Sequence, residues 1–255
     1  MRRRCRPTAL VALLAIGLPL AGARAADGGG DIRAQLVPVR ATVLSAEIAG
    51  RVADLEVREG DRFDKGQKLV GFDCTLHRAR LAKAEAQALE ARKSQEVAAR
   101  LDKLGSVSTL EVDVAAARLA AAQAEVSLTR AVVERCTITA PFAGRVADRK
   151  VSRHQSVAEG QELLDILDDS ALEVEMIVPS RWLAWLAEGL PFTVTVEESG
   201  ATHPAVLTRL GARIDAVSQS VKVFGRIEAA MGGTVRLMAG MSGTAHLEPP
   251  RQESR

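Results

Sequence analysis

GRVADLEVREGDRFDKGQKL at residues 50–69 is answered by GRVADRKVSRHQSVAEGQEL at residues 144–163. At a constant offset of 94, Gly50, Arg51, Val52, Ala53, Asp54, Val57, Gly66, Gln67 and Leu69 recur as Gly144, Arg145, Val146, Ala147, Asp148, Val151, Gly160, Gln161 and Leu163, without a gap. Such self-similarity marks one structural unit used twice. Each copy holds short β-type runs, at 51–57 and 68–72 in the first and at 145–151 and 162–167 in the second. Turns containing Gly separate them. A unit of this size has too little surface to bury alone. Two copies folded face to face are expected to form a small closed β-sandwich; the other arrangement is two independent modules in tandem.

Between the copies the pattern changes. Residues 76–104 contain no Gly or Pro and are rich in Ala, Leu, Glu, Arg, Lys and Gln, all strong helix formers. Gly105-Ser106-Val107 breaks the run, and Ser108-Thr109-Leu110-Glu111 has the form of a capping box opening a new helix. That helix runs to about Arg135; Thr137-Ile138-Thr139 then turns β-like, and Pro141 forbids continuation. Helices of 29 and 27 residues, roughly 44 and 41 Å long at 1.5 Å per residue, across so short a turn imply an antiparallel hairpin. Its facing stripe is read as Ala82, Leu89, Val97, Leu101 and Leu104 against Leu110, Val114, Leu119, Val126 and Val133, with the charges on a solvated face.

The 255 residues are 47% hydrophobic and 26% charged, which excludes wholesale disorder. A net charge of +2 and only seven aromatic residues (Phe 5, Trp 2, no Tyr) speak against a nucleic-acid partner. Residues 1–25 read as a secretory signal: Arg2, Arg3, Arg4 and Arg6, an apolar run over 10–20, and Ala23-Arg24-Ala25 as the cleavage site. The chain is expected to be exported, with cleavage near Ala25. Cys5 precedes the apolar run, so a lipoprotein is not expected. Residues 26–40 read as a lead-in opening with a flexible Asp27-Gly28-Gly29-Gly30.

Signal removal leaves Cys74 and Cys136, an even count in an oxidising compartment, which suggests one disulfide. The hairpin leaves the sandwich at one and returns at the other. A bond there would restrict the unfolded chain by about 4 kcal/mol on the chain-entropy account; the alternative is two thiols that stay unbonded.

Chemistry-bearing motifs are missing from the rest. His77, His154, His203 and His246 are scattered, and no dinucleotide, phosphate-loop or nucleophile-elbow pattern occurs. Asp168-Asp169-Ser170 reads as an acidic turn between domains, and Met231, Met238 and Met241 as barrel core or loop filler. No catalytic, cofactor or metal site is expected.

The split repeat, the inserted helices and the phrase Ala140-Pro141-Phe142-Ala143-Gly144-Arg145-Val146 together resemble the periplasmic adaptor, or membrane fusion protein (HlyD-like), family of tripartite efflux and secretion systems. The resemblance implies an α+β, mostly β, fold. A lipoyl-like β-sandwich (41–73 and 137–169) is split by a long antiparallel α-helical hairpin (74–136, turn near 105–107). A β-barrel domain (170–248) and a tail (249–255) follow. Barrel strands are read at 172–178, 192–196, 205–209, 212–217, 221–227 and 243–247, with a short helix at 181–188 carrying Trp182 and Trp185. Ala239-Gly240-Met241 stands where the family has Leu-Pro-Gly-Met.

The same resemblance implies a non-enzymatic adaptor without a cofactor, located in the periplasm. It would join an inner-membrane transporter, of proton-driven (RND) or ATP-driven (ABC) type, to an outer-membrane channel, and would assemble as a homo-oligomer, six copies in the family. At the hairpin tip many members carry an Arg, a Leu four residues on and a Ser seven beyond. Arg100 and Leu104 keep the first spacing, but Ser108 follows after only four and reads equally as a helix N-cap. Arg100 also reads as a solvated charge and Leu104 as hairpin core. No membrane-proximal domain is readable after the barrel, which leaves pump docking open. Two other readings stand beside this one. A biotin- or lipoyl-type carrier would need a modifiable Lys at the 72–75 or 136–139 junction, whereas Lys65 and Lys68 lie elsewhere. A periplasmic coiled-coil scaffold would use the same helices for a different partner.

Overall fold

Strand alternation and two long Gly-free segments organise the chain into nested units. The computed structural model describes residues 29–228 and 236–250; the expected signal at 1–25 with its cleavage near Ala25, Cys5, Met231 and residues 251–255 lie outside them. The order begins with β1 (Gly30–Pro38), β2 (Ala41–Ser45), β3 (Gly50–Leu55), β4 (Arg62–Phe63) and β5 (Lys68–Phe72). Helices α1 (Thr75–Asp102) and α2 (Thr109–Glu134) come next. Strands β6 (Thr137–Thr139), β7 (Gly144–Arg149), β8 (Ser156–Val157) and β9 (Glu162–Leu167) follow. Then come β10 (Leu172–Pro179), a 3-10 turn (Ser180–Ala184), β11 (Pro191–Val196), β12 (Thr202–Asp215), β13 (Ser220–Ile227) and β14 (Ser242–Leu247).

The repeat explains the sandwich. Its two sheets run β2-β9-β7-β4 and β6-β5-β3-β8, so each mixes strands of both copies. Between the copies the hydrogen bonds come in matched pairs 94 residues apart. The Gly66 amide donates to the Ala140 carbonyl and the Gly160 amide to that of Ala46, both at 2.8 Å. The Gly60 amide donates to Val146 and the His154 amide to Val52, again both at 2.8 Å. Gly66 and Gly160 recur because both turns need positive φ, 82° and 81°, which Gly adopts without a Cβ penalty. Gln67 and Gln161 recur because each side chain accepts an amide of its own turn, Asp64 at 2.9 Å and Ala158 at 3.2 Å. Val52, Val57 and Leu69, with Val146, Val151 and Leu163, supply the core, none more than 4% exposed. Each such side chain contributes roughly 1.5–3 kcal/mol on leaving water. This interleaving excludes the tandem-module arrangement.

The barrel closes in the order β1-β10-β13-β12-β11-β14. Residues 30–38 are therefore not a lead-in: β1 pairs with β10 on one side and β14 on the other. Its Ala34 and Leu36 point into the barrel core beside partly buried Ile32, while Asp31, Arg33 and Gln35 alternate outward. The barrel thus begins before the sandwich, which is inserted between its first and second strands. A second correction concerns 205–209 and 212–217, which form one strand, β12. Register shifts at Leu207/Arg209 and Leu210/Ile214 absorb the extra residues, as bulges do. Trp182 is buried in the barrel cluster beside Trp185, ring centroids 5.3 Å apart.

The two helices lie side by side and run antiparallel: Arg130 of α2 meets Glu85 of α1 at 3.1 Å, and the ends of both return to the sandwich. On α1 the shielded positions along the seam are His77, Leu81, Ala84, Ala88, Ala91, Gln95 and Ala98, with Glu96 and Ala99 partly shielded beside them. On α2 they are Val112, Ala115, Leu119, Ala122, Val126, Thr129 and Val133, with Val132 beside the last. Both series step by three and four, which is one helix face. The stripe read for α1 is corrected: Ala82, Leu89, Val97, Leu101 and Leu104 are exposed, as are Leu110 and Val114 of the opposing set, whereas Leu119, Val126 and Val133 do face the seam. The α1 face is mostly alanine, with Leu81 its one leucine; the small side chains let the backbones approach, and Leu76, Leu89 and Leu101 are left exposed. No helix among the described residues is long and apolar enough to cross a membrane.

Candidate functional site

Three places carry the candidate function: the helix turn, the helix base and the opposite pole of the sandwich. At the turn, Gly105 has φ 66° and its amide donates to Asp102, while Ser106 donates to Leu101, which reverses the chain within six residues, 103–108. Ser108 Oγ accepts the Glu111 amide at 3.3 Å and Glu111 Oε2 accepts the Ser108 amide at 3.2 Å, a complete capping box. Arg100 lies in the last turn of α1, its Nε donating to the Glu96 carbonyl at 3.3 Å. Leu104 is 75% exposed, so it is not hairpin core, and Leu110 in the first turn of α2 is 70% exposed. Arg100, in the last turn of α1, and Leu104 and Ser108, in the connecting turn, are all exposed. The two helix ends and the turn between them thus present two exposed leucines and a guanidinium to solvent.

At the base, Cys74 and Cys136 face each other with Cα atoms 6.1 Å apart, inside the usual disulfide span of about 4.4–6.8 Å. Both are buried in the sandwich core. Asp73 precedes them and accepts from Thr75 Oγ1 at 2.8 Å and from Arg51 at 2.9 Å. The Thr75 bonds and then the Arg51 guanidinium hold the Asp73 carboxyl below the usual carboxylate range.

The opposite pole was legible only as an acidic turn. Asp168 is buried; Arg40 Nε donates to it at 3.0 Å, the Ser170 amide donates to its other oxygen at 3.0 Å, and the Arg40 guanidinium also covers the Phe142 ring. Its carboxyl is held low, chiefly by the hydrogen bonds from Ser170, against the opposing effect of burial and with help from Arg40. Asp169 next door binds Arg62, Arg145 and Arg236. Burial alone would raise its pKa; the Arg145 hydrogen bond and the charges of all three arginines outweigh that and lower it. Arg62 and Arg145 belong to the sandwich, and Arg236 to the segment leading into β14, so one carboxylate ties two domains. Nothing in a linear reading pairs residues 62, 145 and 236. Among the described residues, no group of three or more His, Cys, Asp or Glu is placed to hold a metal ion.

The sandwich with its inserted helix pair, residues 40–168, is the part of the chain that a known family covers. The match is to the family described as RND MFP, barrel-sandwich hybrid domain, and the chain belongs to that family, the membrane fusion proteins of RND systems. A protein of Haemophilus influenzae is 29% identical over 216 residues, covering 84% of this chain and 56% of the relative. The nodulation protein NolF of Rhizobium meliloti is 28% identical over 204 residues, covering 74% and 56%. The chain therefore spans about half the length of these relatives. The crystal structure of a MacA–MexA chimera containing the Pseudomonas aeruginosa MexA α-hairpin domain shares the fold, with a TM-score of 0.76 over 86% of this chain and 78% of that one at 18% identity.

Proposed function

We propose that the protein is a periplasmic adaptor that links an inner-membrane transporter to an outer-membrane channel for efflux or secretion. The family matched is that of RND systems, which favours a proton-driven transporter over an ATP-driven one. In this reading α1 and α2 form the projecting coiled-coil hairpin. Arg100, Leu104 and Ser108 meet the channel, Ser108 mainly by fixing the turn that presents the other two. Several copies pack hairpin against hairpin into a ring, six by the resemblance. A Cys74–Cys136 disulfide locks the hairpin base, and a leader cleaved near Ala25 delivers the chain to the compartment where that bond forms.

The observation that carries the reading is the helix pair itself: it has a thin alanine seam, apolar side chains such as Leu89 and Leu128 left on its flanks, and exposed leucines at its turn. Such a rod gains its missing burial from neighbours along its length. Removing residues 100–108 and closing α1 to α2 with a short Gly-Ser turn is expected to abolish tolerance of the exported compound while the protein still accumulates at its normal level. Unchanged tolerance would count against channel docking. A photocrosslinker at Leu104 should then capture an outer-membrane protein.

A further inference from the structure

Where sandwich meets barrel there is a cleft of about 350 Å³, within the size range of small-molecule sites, roughly 300–1,000 Å³. Val146 and Leu167 of the sandwich and Leu237 and Met238 of the barrel segment make apolar walls. Met238, 61% exposed, stands at its open side, and an unbranched thioether adapts readily to different contact shapes.

The charged lining consists of Arg145, Arg236 and Asp169. Arg62 joins them by donating to the same carboxylate. All three guanidiniums converge on one atom, Asp169 Oδ2, at 2.9 Å from Arg62, 2.8 Å from Arg145 and 2.7 Å from Arg236. Three cations against one anion leave a local surplus of two positive charges. Each guanidinium has five N–H donors, so most of them are not used by Asp169; Arg145 places one more on the Gly60 carbonyl at 2.9 Å. The adjacent carboxylate cannot supply the balance, because Asp168 is taken by Arg40 and the Ser170 amide.

Apolar walls beside surplus, forked N–H donors are complementary to a molecule that is apolar at one end and anionic at the other. We infer that this cleft binds an amphipathic organic anion, its acidic head on Arg145 and Arg236 and its apolar body against Leu167, Leu237 and Met238. The inference is independent of the adaptor reading, since it rests on the junction and not on the helix turn.

Calorimetric titration of the purified chain, below micelle-forming concentrations, tests it with three probes: decanoate, decyltrimethylammonium and acetate. Decanoate is expected to bind saturably at one site, at least tenfold more tightly than either the cation of equal chain length or acetate. Arg236→Gln should weaken decanoate at least fivefold. Met238→Asp, which breaks none of the arginine–carboxylate contacts, should do likewise and keeps the test valid if Arg236→Gln loosens the junction. Arg92→Gln on α1 should change nothing. Equal binding of anion and cation, acetate binding as tightly as decanoate, or decanoate binding indifferent to both cleft variants would each overturn the inference.

Discussion

The sandwich has two exits, and it ties each of them differently. Cys74, where the chain leaves for α1, and Asp168, where it leaves for the barrel, occupy the same place in the two copies of the repeat, 94 residues apart. At the first exit Cys74 faces Cys136; at the second Asp168 faces Arg40. Each exit also sets one copy of the repeated arginine on a neighbouring acid, Arg51 on Asp73 and Arg145 on Asp169. Equivalent corners of the two copies thus carry a cysteine pair on one side and an ion pair on the other. The difference follows from what hangs on each corner. The buried residues of the helices are Ala84 and Ala115 alone, so the rod has almost no core and depends on how firmly its base is held. The barrel keeps a core of its own around Val174, Val194, Val223 and Ala245, all fully buried, and so depends less on its junction.

The largest test of this contrast is to remove both thiols. Cys74→Ala with Cys136→Ala should cost about 4 kcal/mol if the proposed bond closes its loop, read from urea unfolding with and without reductant. A parent protein indifferent to reductant would leave the covalent half of the comparison without support. Asp168→Asn should cost about 1–3 kcal/mol, because a half-exposed Arg40 keeps water while the buried carboxylate position loses its charge-assisted bonds.

The ionic corner should also respond to acid. Asp168 and Asp169 are both held below the ordinary carboxylate value in the fold. The unfolded chain therefore binds more protons once the pH falls to that value. Their contribution is complete above about pH 4–5 and is lost as the pH drops through the folded values. Unfolding free energies between pH 3 and 7 should show a shallower acid limb for Asp168→Asn than for the parent; parallel limbs would remove Asp168 from the explanation. Smaller again, Gly66→Ala and Gly160→Ala should each cost about 1 kcal/mol by forcing a Cβ into a left-handed turn. Near-equal losses in thermal melts sharpen the equivalence of the two copies, and a large inequality breaks it. The smallest effect is expected for His154→Gly. His154 holds φ 68° where Gly60 holds 83°, so relief of strain and the added freedom of the unfolded chain nearly cancel, leaving a few tenths of a kcal/mol.

Much of this was readable in the chain. The recurrence of Gly66, Gln67 and Leu69 reported a turn, its side-chain cap and a core position, and the Ser108–Glu111 spacing reported a helix start. Those signals are local, each settled within a few residues. The misreadings share the opposite property. Strand β1 was hidden by the glycines before it, although Ile32, Ala34 and Leu36 alternate correctly, because its partners β10 and β14 lie far along the sequence. On α1 the spacing of three and four runs through Ala84, Ala88 and Ala91, so small residues take most of the shielded face and bulk is no guide to burial. The meeting of Arg62, Arg145 and Arg236 on Asp169 depends on the closure of two domains at once, and no pattern in the sequence encodes it.

Placing β1 between β10 and β14 also fixes an order of events during folding. The units sit inside one another like brackets: helices within sandwich, sandwich within barrel. The helix turn closes over a handful of residues, whereas Gly30 finds its partner only at Leu247. Contacts so far apart carry the greatest loop-closure cost and form late. The barrel is therefore the last unit to seal, and until β14 arrives the outer edges of β1 and β11 stay unpaired, a template for wrong partners.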